Sequence, residues 1–573
     1  MAKPKNGDIR WAGYPTAHVY NYKRNSKTKK LGLSKVKHLL WGDWVKVTDY
    51  SYAKDPEADL KTAAEKTATG KTPKGMVPVR VRGISGYMHL EDLQENKLCE
   101  IVFCDVAQGD GALLVTPDDK KYVIDAGVSD NMYRYLKWRF AGFKGQTDFD
   151  GFIITHPDQD HYFGFNHLVN DKKVSAANIW HNGLVEQFGI SSSGKQSASS
   201  AALLGKTKTV QGQKYLIDLI ETDKDMRDLL KNKNRWIKKK TGNPKQYPDL
   251  MNSAAAAKSG GKRRFPNIEM LSNQHGEIHS EGSFLPGYGP DNTDNCSIQI
   301  LGPVVEKVGS SAALRVFADK PKEKTTDLNT GKTKNGHSVL LKLNYGSVSV
   351  LFGGDLNSSA EMFLLSHYTG LPVYDSTQVR TDQVVEAAKP IFRVDVAKAC
   401  HHGSADFTDH FLETINACAT VISSGDKESH AHPRSDTLGA LGHHGRGSRS
   451  LIFSTELSRS TDEFSKREDS PWFQGYELDV EAKAETDPIK KKVLQEAANE
   501  KFEIAKKRNV TVYGAINLRT DGEKVVIAYM LEKPSKGRRW DVYTLESANG
   551  GVLQYKNVKD AANDEAKRRS ASN

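Results

Sequence analysis

The feature that most constrains this chain lies between residues 152 and 161. An apolar run, Phe152-Ile153-Ile154, reaches Thr155 and is followed at once by His156-Pro157-Asp158-Gln159-Asp160-His161. Such a run reads as a buried strand, and the abrupt change to ligand-type side chains marks its end. Where a strand ends the chain turns, so alternate residues can converge on one point. Imidazole nitrogen and carboxylate oxygen are donors that Zn²⁺, Mn²⁺ and Fe²⁺ accept. The spacing lets His156 and Asp158 face one cation while Asp160 and His161 face a second. The plain alternative is a polar loop whose aspartates cap the next helix.

Strand-like and helix-like segments alternate around this motif, which predicts an α/β class. Strands are expected at 99–106, 112–116, 121–125 and 151–155, and helices at 130–141 and 161–169. Later strands are expected at 296–301, 338–344, 347–352, 395–400 and 420–423, with a terminal hairpin within 510–532. Residues 1–14 read as a flexible lead. The text from 15 to 97 differs, with short runs of alternating apolar residues such as Val77, Val79 and Val81, punctuated by Gly83 and Gly86. A polar stretch, 54–74, interrupts it. Residues 546–573 read as a charged, frayed tail.

The 82 Lys and Arg residues against 71 Asp and Glu residues leave a formal net charge of +11. That excess fits either solubility or a polyanionic partner, so local clustering has to decide. The clearest cluster is in a Ser/Ala/Gly/Lys-rich insertion at about 191–289, read as helical over 213–240. Asp249 is the only acid between Lys231 and Arg264, a stretch holding Lys238, Lys239, Lys240, Lys262, Arg263 and Arg264. A run this one-sided suits a solvated face or contacts to a nucleic-acid backbone. No apolar run approaches the ~18–20 residues a spanning helix needs, so no membrane partner is expected. Five scattered cysteines without a CxxC fit reduced thiols, and a cytoplasmic location is expected.

"THPDQDHYFGF" resembles the signature of metallo-β-lactamase-fold hydrolases, with Asp158 where that family's usual pattern has a second His. "FCDVAQGDGALLV" and "YVIDAG" precede it; "SVSVLFGGDL", "VAKACHHGSADF" and "VISSGDKESHAHPRSDTL" follow in order. Together these resemble the hydrolase domain of bacterial competence DNA-uptake proteins over about 98–545, less the insertion and without their membrane segments. "HVYNYKRN", "LLWGDWVKV" and "GYMHLEDL" resemble a bacterial SH3-like small barrel. The resemblance implies an αββα four-layer sandwich preceded by a small SH3-like β-barrel.

It also implies two divalent cations, Zn or Mn, held by His156, Asp158, Asp160, His161, Asp355 and His401, with Asp355 bridging. His181 is the candidate for the remaining ligand of the first cation; a structural histidine is the alternative. Asp125 and His402 are expected behind the ligands, although the sequence does not separate His401 from His402. Gln108-Gly109-Asp110 is either beside the catalytic centre or a tight turn. His432 is the expected proton donor, with His430 the weaker candidate, and His443, His444 and Arg446 read as a loop.

The function implied is a metal-dependent phosphodiesterase, foremost a nuclease: activated water attacks phosphorus in line, Asp160 orients it, and His432 assists the leaving oxygen. Two other readings stay open, because a fold does not choose a substrate. One is a hydrolase of a small nucleotide or other small ester. The other is a subunit of a larger assembly, such as a defence complex, docking a protein partner through the barrel.

Overall fold

The computed structural model describes residues 4–25, 27–49, 72–191, 195–196, 203–374, 378–425, 431–455, 471–507, 514–531, 534–547 and 552–555. The polar stretch 54–74 lies largely outside these residues, as does His430.

Two sheets carry the main body. The first has ten strands in the order Asn267–Met270, Val174–His181, Thr147–Ile153, Lys121–Ala126, Gly111–Val115, Cys99–Phe103, Ile516–Thr520, Val525–Met530, Trp540–Ser547 and Leu553–Tyr555. The second has eight: Glu277–His279, Gly282–Phe284, Cys296–Gly302, Leu340–Tyr345, Val348–Phe352, Val396–Lys398, Ala419–Ile422 and Leu451–Ser454. Their strands are nearly all apolar because both faces are covered. Alternation along each strand sorts the side chains. Ile101, Phe103, Ala112, Leu114, Tyr122 and Ile124 point inward, against Leu341, Leu343, Val348, Val350 and Phe352 of the other sheet. Val102, Leu113, Val115, Val123 and Phe152 point outward into a second core.

Helices close that second core with i, i+3, i+4 stripes. Met132, Tyr135 and Leu136 come from Asn131–Arg139, and Met226, Leu229 and Leu230 from Asp223–Lys231. On the far face of the second sheet, Ser358–Thr369, Gln378–Phe392 and Asp409–Ile415 supply Leu365, Ala388, Phe392 and Phe411 to a third core. The result is the expected αββα layering. Parallel pairing places the ends of Lys121–Ala126 and Thr147–Ile153 in one sheet, and of Val348–Phe352, Val396–Lys398 and Ala419–Ile422 in the other, at one rim.

The 191–289 segment is not a separate helical insertion. Thr207–Val210 and Gln213–Leu216 form a hairpin, and Gln211 and Gly212, at φ of 49° and 81°, make its turn. The predicted 213–240 helix is therefore confined to Asp223–Lys231 and a short 3₁₀ turn, Lys233–Arg235. The segment then gives helix Gln246–Ala256 and three strands of the main sheets, Asn267–Met270 in the first and Glu277–His279 and Gly282–Phe284 in the second.

The N-terminal region is β-rich as expected, with seven strands in the order Leu31–Leu40, Thr16–Arg24, Ile84–His89, Met76–Val81, Trp44–Val47, Ile9–Ala12 and Leu93–Gln94. Val19, Leu39, Val45, Val77, Val79 and Met88 form its own core. It starts before residue 15: Ile9–Ala12, read above as part of a flexible lead, pairs with Trp44–Val47. Similarly, Leu553–Tyr555 extends the first sheet from within the presumed tail. Among the described residues no helix is long and apolar enough to cross a membrane.

Candidate metal centre

The strand ends at the shared rim deliver His156, His161, Asp355 and His402 to one buried cluster. His161 Nε2 lies 3.3 Å from Asp355 Oδ1 and His402 Nε2 3.2 Å from Asp355 Oδ2. The two Nε2 atoms are 3.3 Å apart. Asp160 Oδ2 is 3.5 Å from His402 Nε2. His156 Nε2 is 3.6 Å from Asp158 Oδ2 and 4.0 Å from Asp355 Oδ2. Asp355 therefore stands between the His156 side and the His161–His402 side.

The outer nitrogens are held from behind. Asp125 Oδ2 takes His161 Nδ1–H at 2.8 Å, while both Asp125 oxygens accept from Thr155, at 2.8 Å from its N–H and 2.7 Å from its hydroxyl. His402 Nδ1–H donates to the Ser423 carbonyl at 3.0 Å, with Asp110 Oδ1 also 3.0 Å away. Each arrangement puts the proton on Nδ1 and leaves Nε2 for a cation. Asp110 is the residue the sequence reading undervalued: with His161, Asp355 and His402 it offers ligand atoms within 4.8 Å of one another.

The structure places the adjacent histidines differently. His402 is buried in the cluster, whereas His401 sits nearer the rim, its Nε2 3.8 Å from Asp355 Oδ2. Both occupy left-handed backbone, φ 47° and 53°, in the turn Cys400–Gly403, so neighbouring side chains diverge. Asp125 and Ala107, at φ 54° and 65°, show that backbone strain concentrates here. A side chain at Gly109 would place its Cβ 1.7 Å from the Asp160 carbonyl; only glycine lets the two loops meet.

His181 lies outside the group formed by Asp110, His161, Asp355 and His402. It is fully buried, its Nδ1 accepts from the Gly183 N–H at 3.0 Å, its Nε2 has no hydrogen-bond partner among the described residues, and burial followed by the charge of His275 lowers its pKa to about 3. His432 does reach the mouth, its ring centroid 5.5 Å from that of His401 and 6.3 Å from that of His402. Gln108 donates to Asp160 Oδ2 at 3.4 Å. Lys334, unforeseen, pairs with Asp158 and lies 2.7 Å from Glu186. His443 and His444 end helix Ser435–His444 and are not loop residues; buried Arg446 binds Asp395 at 2.8 Å.

The electrostatics fit cations. Asp110, Asp125, Asp158, Asp160 and Asp355 converge here, while Lys398 and Lys334 are the lysines paired with them. Burial disfavours a charge on His161 and His402, yet Asp355, joined by Asp125 at His161 and Asp110 at His402, holds both pKa values well above normal. Burial likewise opposes ionisation of Asp355, but His161, His402 and His401 hold it well below the usual range. Asp158 is held at about 2 by His156 and Lys334 despite its burial. Among the described residues His156 Nε2 is fully buried with no hydrogen-bond partner. An orphaned imidazole nitrogen among buried carboxylates is a donor set that a divalent cation satisfies.

The basic run divides. Lys238, Lys239, Lys240, Lys262 and Arg263 are exposed. Arg264 is 7% exposed, and its guanidinium donates to the carbonyls of Asp171 at 2.7 Å and Val174 at 2.6 Å, and also to that of Val169. The expected nucleic-acid contact at Arg264 is thus corrected: it caps helix Phe165–Asn170 from inside the protein.

This rim of strand ends, with its buried His and Asp donors, is the site architecture of a metallo-β-lactamase fold. Residues 112–201 match the family model described as the metallo-beta-lactamase superfamily, so the chain carries a domain of that superfamily. No curated protein matches the chain. Among solved structures, a mutant of CmlA beta-hydroxylase is similar at 8% identity and a TM-score of 0.27, covering 64% of this chain and 54% of that one. The chain thus spans about half the length of that structure.

Proposed function

We propose that the protein is a metal-dependent phosphodiesterase acting on nucleic acid. The observation that carries the reading is Asp355, flanked by His161 and His402 at 3.3 and 3.2 Å, with each imidazole oriented from behind. His156, Asp158, Asp160, His161, Asp355 and His402 would hold two divalent cations, with His401 at the rim; mixed nitrogen and oxygen donors suit Zn²⁺ or Mn²⁺. When bound, such cations supply Lewis-acid polarisation and water activation near neutral pH.

The chain's own residues do the rest. Asp125 and the Ser423 carbonyl keep the ring protons of His161 and His402 on Nδ1. Asp160, held by Gln108, orients the attacking water and accepts its proton. His432, at the mouth, donates a proton to the departing oxygen. The exposed Lys238, Lys239, Lys240, Lys262 and Arg263 contact the phosphate backbone, and binding weakens with salt. The N-terminal sheet is read as an SH3-like module. Replacing Asp355 or Asp160 with Ala tests the proposal: cleavage of a DNA and RNA panel in Mn²⁺ or Zn²⁺ should fall at least about 10²-fold, and full cleavage by both variants overturns it.

A further inference from the structure

A cleft of about 710 Å³ separates the N-terminal sheet from the sandwich. That volume falls in the range of small-ligand sites. Leu98 and Val115 of the sandwich core reach its lining, but the three tryptophans and the charged side chains there belong to no hydrophobic core and not to the metal centre. Trp11 and Trp44 are direct partners in the antiparallel pair Ile9–Ala12 and Trp44–Val47, so their side chains stand together on one face. Trp138 lines the cleft from helix Asn131–Arg139 of the sandwich. Trp44 keeps 49% and Trp138 40% of its surface exposed. Packing of the two regions therefore leaves both rings partly exposed.

The charges beside the rings are fixed. Arg82 lies with its guanidinium 5.4 Å from the Trp138 ring centroid. Asp43 binds Arg82 at 3.2 Å, and Glu100 binds Arg139 at 3.0 Å and Arg519 at 3.2 Å. Three guanidinium groups thus share two buried carboxylates, and the surplus is positive. Lys121, also lining the cleft, has no ion-pair partner among the described residues. Lys121 opens the strand Lys121–Ala126, and Asp125 of the metal centre stands near its other end. Four residue steps, about 13 Å, separate them.

We propose that this cleft binds a nucleobase bearing phosphate, as a free nucleotide or within a strand. The base stacks on Trp44 and Trp138, and the phosphate meets Lys121 and the surplus guanidinium charge. Exposed indole surface on two walls, with Arg82 beside Trp138, suits a planar ring, and the fixed cations select its anionic substituent. The proposal does not rest on the hydrolytic reading, because the cleft and the metal centre share no residue.

The test is calorimetric titration of the full chain with AMP, an eight-nucleotide oligothymidylate and inorganic pyrophosphate, in the Asp355→Ala background so that nothing is hydrolysed. AMP or the oligonucleotide should bind, and Trp44→Ala and Trp138→Ala should each weaken binding at least about fivefold. Trp44→Phe, which keeps a stacking face and guards against a folding defect, should lose less. An oligonucleotide tighter than AMP assigns a strand, and equal affinities assign a free nucleotide. The proposal is overturned if neither ligand binds at millimolar concentration, if both Trp→Ala variants bind like the parent, or if pyrophosphate binds as tightly as AMP.

Discussion

Arg264→Ala separates a structural role from a nucleic-acid contact at the end of the basic run. The guanidinium joins the C-terminal end of helix Phe165–Asn170, through Val169 and Asp171, to the start of strand Val174–His181. Hydrogen bonds from a charged donor contribute about 1.5–3 kcal/mol each, and carbonyls left dry lose that and more. Water can reach the more exposed Asp171 carbonyl, so two stranded acceptors at the lower figure give about 3 kcal/mol. With an unfolding slope of about 3 kcal/mol/M, the urea midpoint should fall by about 1 M. The assay is equilibrium urea unfolding followed by tryptophan fluorescence. Arg264→Lys, which restores the charge but not the fork, should fall between the two. An unchanged midpoint in Arg264→Ala together with weaker nucleic-acid binding would refute the reasoning.

Other expectations follow from the same geometry. Asp125→Ala removes the acceptor behind His161 and should weaken cation binding about 10–100-fold, read by competition with a chromogenic chelator, while Asp125→Asn retains part of it. Glu361 is buried, with Thr408 its only hydrogen-bond donor among the described residues, at 2.6 and 2.8 Å, and burial raises its pKa from 4.5 to about 8. The folded state therefore holds this proton more tightly than the unfolded chain. Its stabilising contribution is complete below pH 4.5 and declines as pH rises towards 8, by up to about 1.4 kcal/mol per pH unit. Glu361→Gln should flatten that part of the urea-midpoint profile between these limits, and a profile parallel to that of the parent contradicts the assignment.

Much of the site was legible because its chemistry sits where strands end. The change from Ile154 to His156 announces one strand end, Gly353-Gly354-Asp355 another, and Cys400-His401-His402 a third. Adjacency defeated the rest. His401 and His402 both follow a strand, and the sequence carries no sign that left-handed backbone at both residues sends His402 inward, where Ser423 holds it. Asp110 acquires its role from Lys398 and His402, nearly three hundred positions away in the chain. His181 also ends a strand; the Gly183 N–H holds its Nδ1, while its Nε2 has no hydrogen-bond partner among the described residues.

Fold signals failed where composition hid periodicity. "VQGQ" is the sign of the Gln211–Gly212 turn that the helical reading of 213–240 passes over. The charge run does not distinguish Arg264 from Lys262 and Arg263; its neighbour Phe265, fully buried, was the clue that the chain turns inward.

The central claim is that His and Asp side chains from separate strand ends hold cations around Asp355. The most direct measurement is elemental analysis of the chain after equilibration with Mn²⁺ or Zn²⁺ and removal of free metal, beside folded Asp355→Ala and His161→Ala variants. About two equivalents in the parent and fewer than one in each variant are expected. A parent chain without bound metal, or variants that retain the full complement, would contradict the account.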